Sequence, residues 1–125
     1  MLALIVSRSC AVRDGLVALL EASQEIDIIV QSLGAQSAWN LVQDVNPDIT
    51  LVYIDYLTQE LATFIANLNS TCISPILAIV NSEVDRQKIV ACGADIVVME
   101  GLPSAKLATH ITALLQQDSE IKHTN

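Results

Sequence analysis

Short runs of aliphatic and β-branched residues alternate five times with longer stretches whose apolar residues recur at helical spacing, and this alternation constrains the fold more than any other feature. Leu2–Val6 is continuously apolar, too short for a buried helix and suited to a central strand. Val12, Leu16, Leu19 and Leu20 then stripe a helix over about residues 11–22. Residues 26–30 read as a second strand, and Ala38, Leu41, Val42 and Val45 mark a second helix. That helix stops near Asn46, because Pro47 disfavours helical geometry in the residue before it. Ile49–Ile54 reads as the third strand, and Leu57, Leu61, Phe64, Ile65 and Leu68 stripe the third helix. After a loop at Ser70, Thr71 and Cys72, Pro75 opens a fourth strand over Ile76–Val80. A more polar helix over residues 82–92 ends at Gly93, a natural left-handed C-terminal position. Ile96–Met99 is the fifth strand, and Pro103 opens a fifth helix lined by Leu107, Ile111, Leu114 and Leu115.

Five strands alternating with five helices imply an α/β fold, a doubly wound parallel sheet with right-handed crossovers covering both faces. The strands are nearly all apolar, as expected where neither face meets water. With 125 residues the chain suits one domain, here residues 1–117, followed by a polar tail over residues 118–125. Hydrophobic residues make up 52% but aromatics only 3%, so aliphatic side chains build the core around Trp39, Tyr53, Tyr56 and Phe64. A net charge of −8 with dispersed basic residues argues against direct nucleic-acid binding or attraction to anionic membranes. Three cysteines without metal-ligand spacing (Cys10, Cys72, Cys92) suit reduced thiols, and the apolar N-terminus lacks the charge pattern of a signal peptide. A cytoplasmic protein is expected.

In a doubly wound sheet, ligands bind beyond the carboxyl ends of the strands. The loops there hold no glycine-rich phosphate motif, since Gly15, Gly34, Gly93 and Gly101 are isolated. His110 lies on the last helix and His123 in the tail, so no metal site is expected from them. Asp55 follows the third strand and would serve as a phosphoacceptor or base; Cys10 follows the first and would be a nucleophile if a helix N-terminus activated it. The plainer readings are preferred for both, a loop-capping or solvated acid for Asp55 and a small buried thiol under the first helix for Cys10, and Trp39 reads as packing.

Four segments together resemble the receiver domains of response regulators: Leu4-Ile5-Val6 followed by Arg13, Asn46-Pro47-Asp48 before the third strand, Pro75 to Ile79, and Cys92-Gly93-Ala94-Asp95 before the fifth strand. The likeness spans about residues 2–116 and implies the flavodoxin-like strand order 2-1-3-4-5. Receivers hold Mg²⁺ and a phosphoryl group with two acids after the first strand, an Asp ending the third, a Thr or Ser ending the fourth and a Lys ending the fifth. Those positions here hold Ser7 and Arg8, Tyr53, Val80 and Glu100, with Ser82 near Val80 and Asp55 two residues beyond Tyr53.

Mg²⁺ requires hard oxygen ligands, a guanidinium repels it, and a phenol forms no acyl phosphate. The resemblance therefore implies a degenerate phosphorylation pocket, with no catalytic residue and no cofactor. Arg8 and Glu100 are expected to pair across the strand ends, with Tyr53 filling the vacated space. The domain would act by binding a protein partner (a signalling kinase, an output domain or a regulator) or a second copy of itself. In receivers that surface lies on the fourth helix, fifth strand and fifth helix, which points to Val84, Gln87, Lys88, Ala91, Met99 and Lys106. Val97 replaces the usual switching aromatic. Two other readings stay open: a genuine phosphoacceptor using Asp55, and a small phosphotransfer or redox protein using Cys10.

Overall fold

A computed structural model describes residues 1–71 and 74–124. Along the chain lie β1 (Leu2–Val6), α1 (Cys10–Glu21), β2 (Ile28–Ser32), α2 (Ala35–Val45), β3 (Ile49–Ile54), α3 (Gln59–Thr71), β4 (Ile76–Val80), α4 (Glu83–Cys92), β5 (Ile96–Met99) and α5 (Ser104–Thr124). All strand pairs are parallel, and the sheet order is β2-β1-β3-β4-β5. The expected architecture and order are those found.

Alternation along the strands divides the core in two. Ala3, Ile5, Leu51, Tyr53, Leu77 and Ile79 face Leu16 and Leu20 of α1 and Ile111, Leu114 and Leu115 of α5. Leu4, Val6, Val52, Ile54, Ala78 and Val80 face α2, α3 and α4, where Val42, Phe64, Ile65, Leu68 and Ile89 cover them. Trp39 packs edge-on against Phe64 with ring centroids 6.4 Å apart, in the geometry favoured by aromatic quadrupoles.

The aspartates that gave the motifs their shape prove to be strand fasteners. The backbone N–H of Asp48 donates to the Leu2 carbonyl (2.8 Å), while its Oδ2 accepts the Leu2 N–H at 2.7 Å. Asp95 does the same to Ile76, donating at 3.0 Å and accepting through Oδ2 at 2.7 Å. Asp27 repeats the pattern on Met1, its N–H donating to the Met1 carbonyl and its carboxylate holding the terminal ammonium at 2.7 Å. Each acid stands one residue before a strand and closes the first ring of a parallel ladder, satisfying an N–H that would otherwise lack a partner. Their work is done at the amino ends of the strands, opposite the functional end.

Most element bounds agree with the sequence pattern, and the exceptions have physical causes. β2 begins at Ile28, two residues later than its apolar run, because Asp27 is engaged by Met1 while Ile26 drops into the core with 8% exposure. The expected loop at Ser70 and Thr71 is the end of α3, where the Thr71 hydroxyl donates back to the carbonyls of Asn67 and Leu68. Cys72 lies outside the described residues. α5 runs past Gln117 to Thr124, with no Gly or Pro in that stretch to stop it. α2 and α4 both end on left-handed residues, Asn46 (φ 48°) before Pro47 and Gly93 (φ 103°). A side chain on Gly93 would also press into Asn69 of α3, so two separate constraints require glycine there.

Candidate functional site

At the carboxyl ends of the strands, β1 delivers Ser7 and Arg8 to the place where the winding direction reverses. Ser7 is buried, and its hydroxyl is consumed locally, donating to the Ser9 carbonyl and accepting the Ser9 N–H, both at 3.1 Å. Ser9 in turn caps α1 by accepting the Val12 N–H. Arg8 is exposed and forms no ion pair among the described residues. β3 delivers Tyr53, 9% exposed, whose hydroxyl donates to Glu100 Oε1 at 2.8 Å. β4 ends in Val80, fully buried against α2, α3 and α4, and its carbonyl accepts the Glu100 N–H at 2.7 Å. Ser82 caps α4 by accepting the Asp85 N–H. Asp55 is exposed beyond β3, with its carbonyl accepting Asn81 Nδ2–H at 3.2 Å.

The expected pairing of Arg8 with Glu100 is replaced by that of Tyr53 with Glu100. Sheet order explains the substitution: β1 stands three strand spacings from β5, about 14 Å at roughly 4.8 Å per strand. The phenol reaches out from β3, between them, and meets the carboxylate first. Burial, the hydrogen bond to Glu100 and the charges of Glu100 and Asp55 push the Tyr53 phenol up to about 12. Tyr53 therefore remains a neutral hydrogen-bond donor throughout the physiological range.

That shift predicts a measurable titration. The folded protein holds the Tyr53 proton more tightly than the unfolded chain, so the linked stability is complete below the ordinary phenol value near 10 and is lost as pH rises through about 12. Ultraviolet phenolate titration is expected to show one tyrosine ionising near 12. Glu100→Gln is expected to move it downward without returning it to the ordinary value, because the burial remains. A wild-type protein in which Tyr53 ionises near the ordinary phenol value of about 10 would contradict the bond.

The ring of Tyr53 divides two recesses. On the strand-end side a cavity of about 90 Å³ remains, bordered by Ser7, Arg8, Gly34, Asp55, Tyr56 and Glu60. Two carboxylates and one guanidinium ring it, and among the described residues no three His, Cys, Asp or Glu side chains converge as a metal-ligating group. Its rim carries Tyr56 at 70% exposure and Leu33 at 61%, apolar groups that the strand pattern does not single out. A larger trough of about 540 Å³ runs between α2 and α3 beside Trp39 and Phe64.

The other residues expected to matter fall in three places. Val84, Gln87, Lys88, Ala91, Met99 and Lys106 are all exposed, as a partner surface on α4, β5 and α5 requires, and Val90 adds a further exposed aliphatic group on α4. Val97 is partly buried against the α4 side. Cys10 is exposed at the start of α1, with the Arg13 guanidinium 3.4 Å from its sulfur.

No protein family model matches the sequence, and no curated protein matches it. Solved structures do share its fold. The signal receiver domain of the NarL response regulator of Mycobacterium tuberculosis superposes with a TM-score of 0.80 at 14% identity, covering 92% of this chain and 95% of that one. A CheY-like receiver domain protein from Methanospirillum hungatei gives 0.81 at 16% identity, over 95% and 96% of the two chains. The receiver domain of a modulated diguanylate cyclase from Desulfovibrio desulfuricans gives 0.80 at 21% identity, over 94% and 95%. The chain has the receiver fold; among the described residues no helix is long and apolar enough to cross a membrane.

Proposed function

We propose that this chain is a receiver-type signalling domain that has left Mg²⁺-dependent aspartyl phosphorylation and acts by binding another protein. The hydrogen bond from Tyr53 to Glu100 carries the reading. In the receiver resemblance those two positions belong to the phosphoacceptor and to the lysine that steadies the phosphoryl group. Here they satisfy each other, a phenol donating to a carboxylate, and neither is left to hold an anion. Ser7 and Arg8 extend the argument, since a buried hydroxyl turned into its own loop and a free guanidinium leave the first loop without the carboxylates that attract Mg²⁺.

In this reading residues 1–117 form the signalling unit, residues 118–125 are an appendage, and the domain is cytoplasmic and not an enzyme. Its partner is a kinase, an output domain, a regulator or a second copy. The exposed α4–β5–α5 surface at Val84, Gln87, Lys88, Ala91, Met99 and Lys106 makes the contact, and neither nucleic acid nor membrane is engaged directly.

The test is incubation with acetyl phosphate and Mg²⁺, and separately with beryllofluoride and Mg²⁺, followed by intact-mass measurement and amide NMR. The expected result is no mass gain of a phosphoryl group and no shift confined to the strand ends. A Mg²⁺-dependent phosphoryl adduct mapping to Asp55 would establish the phosphoacceptor instead, and one on Cys10 would establish phosphotransfer.

A further inference from the structure

Between α1 and α5, against the sheet face that carries Tyr53, lies a recess of about 260 Å³. Its walls are aliphatic: Val12, Leu16 and Leu19 from α1, Ile79 and Val98 from the sheet, and Leu107 from α5. The recess is a groove open to solvent beside Gly15, which is exposed.

Gly15 explains how the gap stays open. It sits in the middle of α1 and lines the recess, although glycine is among the poorest residues for a helix interior. The usual justifications are missing. Its φ is not positive, and a Cβ built there would meet nothing within 4 Å. No neighbour needs the space, yet the chain forgoes a side chain that would fill it. Glycine thus leaves the mouth of the recess clear, at a cost in helix stability.

Its polar chemistry is one-sided. Among the described residues Glu100 is the one charged residue lining it. Tyr53 occupies Glu100 Oε1; Glu100 is otherwise exposed, and among the described residues no hydrogen bond is made to its Oε2. An aliphatic chamber with one carboxylate oxygen at its edge selects a ligand with an apolar body and a cationic, hydrogen-donating head, and rejects anions. We infer that the α1–α5 recess is a binding site for a small hydrophobic amine, whose ring or branched chain fills the space beside Gly15 and whose ammonium pairs with Glu100. Such a ligand would join α1 to α5 and meet the Tyr53–Glu100 pair directly, placing a chemical input next to Met99 on the proposed partner surface. The site stands on its own geometry, whether or not the domain accepts a phosphoryl group.

Methyl-resolved NMR titration of the full chain with phenethylamine, phenethyl alcohol and hydrocinnamate tests the site with a cation, its neutral isostere and an anion of similar size. The expected result is saturable shifts at Leu16, Val98 and Leu107, with the amine binding about threefold tighter than the alcohol and the anion weakest, as an ion pair to an exposed carboxylate allows. Glu100→Gln is expected to abolish the amine's advantage while leaving the alcohol unaffected. Gly15→Leu is expected to raise the apo Tm and remove binding of all three, with Gly15→Ala as the milder version. Equal affinity for amine and alcohol, no saturable shift in the wild type, or binding that survives in a folded Gly15→Leu protein would each overturn the inference. So would concentration-dependent shifts at these methyls without ligand, which would show that a second copy fills the recess.

Discussion

Tyr53→Asp, which places a carboxylate where the receiver resemblance would put a phosphoacceptor, is expected to destabilise the protein by about 3 kcal/mol or more. Three effects act in the same direction. The ring packs in the core formed with α1 and α5, and truncating a buried aromatic residue costs roughly 3–5 kcal/mol through lost transfer energy and a residual cavity. The new carboxylate stands where desolvation disfavours its charged form. Glu100 is deprived of its hydrogen-bond donor, and Glu100 and Asp55 both add like charge to the site. Tyr53→Phe separates these contributions. It keeps the ring, removes only the hydroxyl and leaves Glu100 to water, for a loss of about 1 kcal/mol. Urea unfolding followed by Trp39 emission measures both, with equal denaturant dependence required for the comparison. Adding Mg²⁺ is not expected to rescue Tyr53→Asp, because Ser7 and Arg8 still occupy the first loop. A variant that is as stable as wild type, or that is stabilised by Mg²⁺, would mean that residue 53 stands in a site able to hold a metal-bound carboxylate.

The contrast between Tyr53 and its expected role shows which parts of the molecule were legible in the residues. β3, β4 and β5 follow their apolar runs to the residue: β3 and β4 are buried along their whole length, and Pro47, Pro75 and Gly93 punctuate the chain beside the three strands. β2 lies at the sheet edge with Ile28 55% exposed, so hydrophobicity there says less about register, and a core residue in the preceding loop, Ile26, imitates a strand residue. The candidate pocket was readable as a set of positions, because counting from Pro47, Pro75 and Gly93 locates the strand ends. Its contacts were not. Charge alone favours Arg8 with Glu100, but the contact that forms is between a phenol and a carboxylate 47 residues apart, set by which strands are neighbours. The α1–α5 recess was equally hidden, since Gly15 within a helical stripe looks like an ordinary weak position until the space around it is seen.

Asp48→Ala and Asp95→Ala are expected to be the most damaging substitutions outside the two cores, although neither residue touches the candidate site. Each carboxylate accepts the first N–H of a neighbouring strand at 2.7 Å, Leu2 in one case and Ile76 in the other. Hydrogen bonds to charged groups contribute roughly 1.5–3 kcal/mol, and alanine leaves the strand's N–H without a partner. Asp48 is the more buried of the two, so its loss is expected near 2–3 kcal/mol, with Asp95, which is solvent-exposed, nearer 1–2 kcal/mol. Asparagine retains a carbonyl oxygen at the same reach, so Asp48→Asn is expected to recover about half of the loss. The bonds join different strand pairs, β1 with β3 and β4 with β5, and share no partner, so the double variant should show the sum of the single losses to within about 0.5 kcal/mol. Hydrogen exchange gives the local reading: Asp48→Ala should expose the Leu2 amide while Ile76 stays protected, and Asp95→Ala should do the reverse. If both amides remain protected in both variants, the carboxylates are ornaments on ladders that close without them. The Pro-Asp and Gly-Ala-Asp motifs would then need another explanation, because fastening is the only work the structure gives their aspartates.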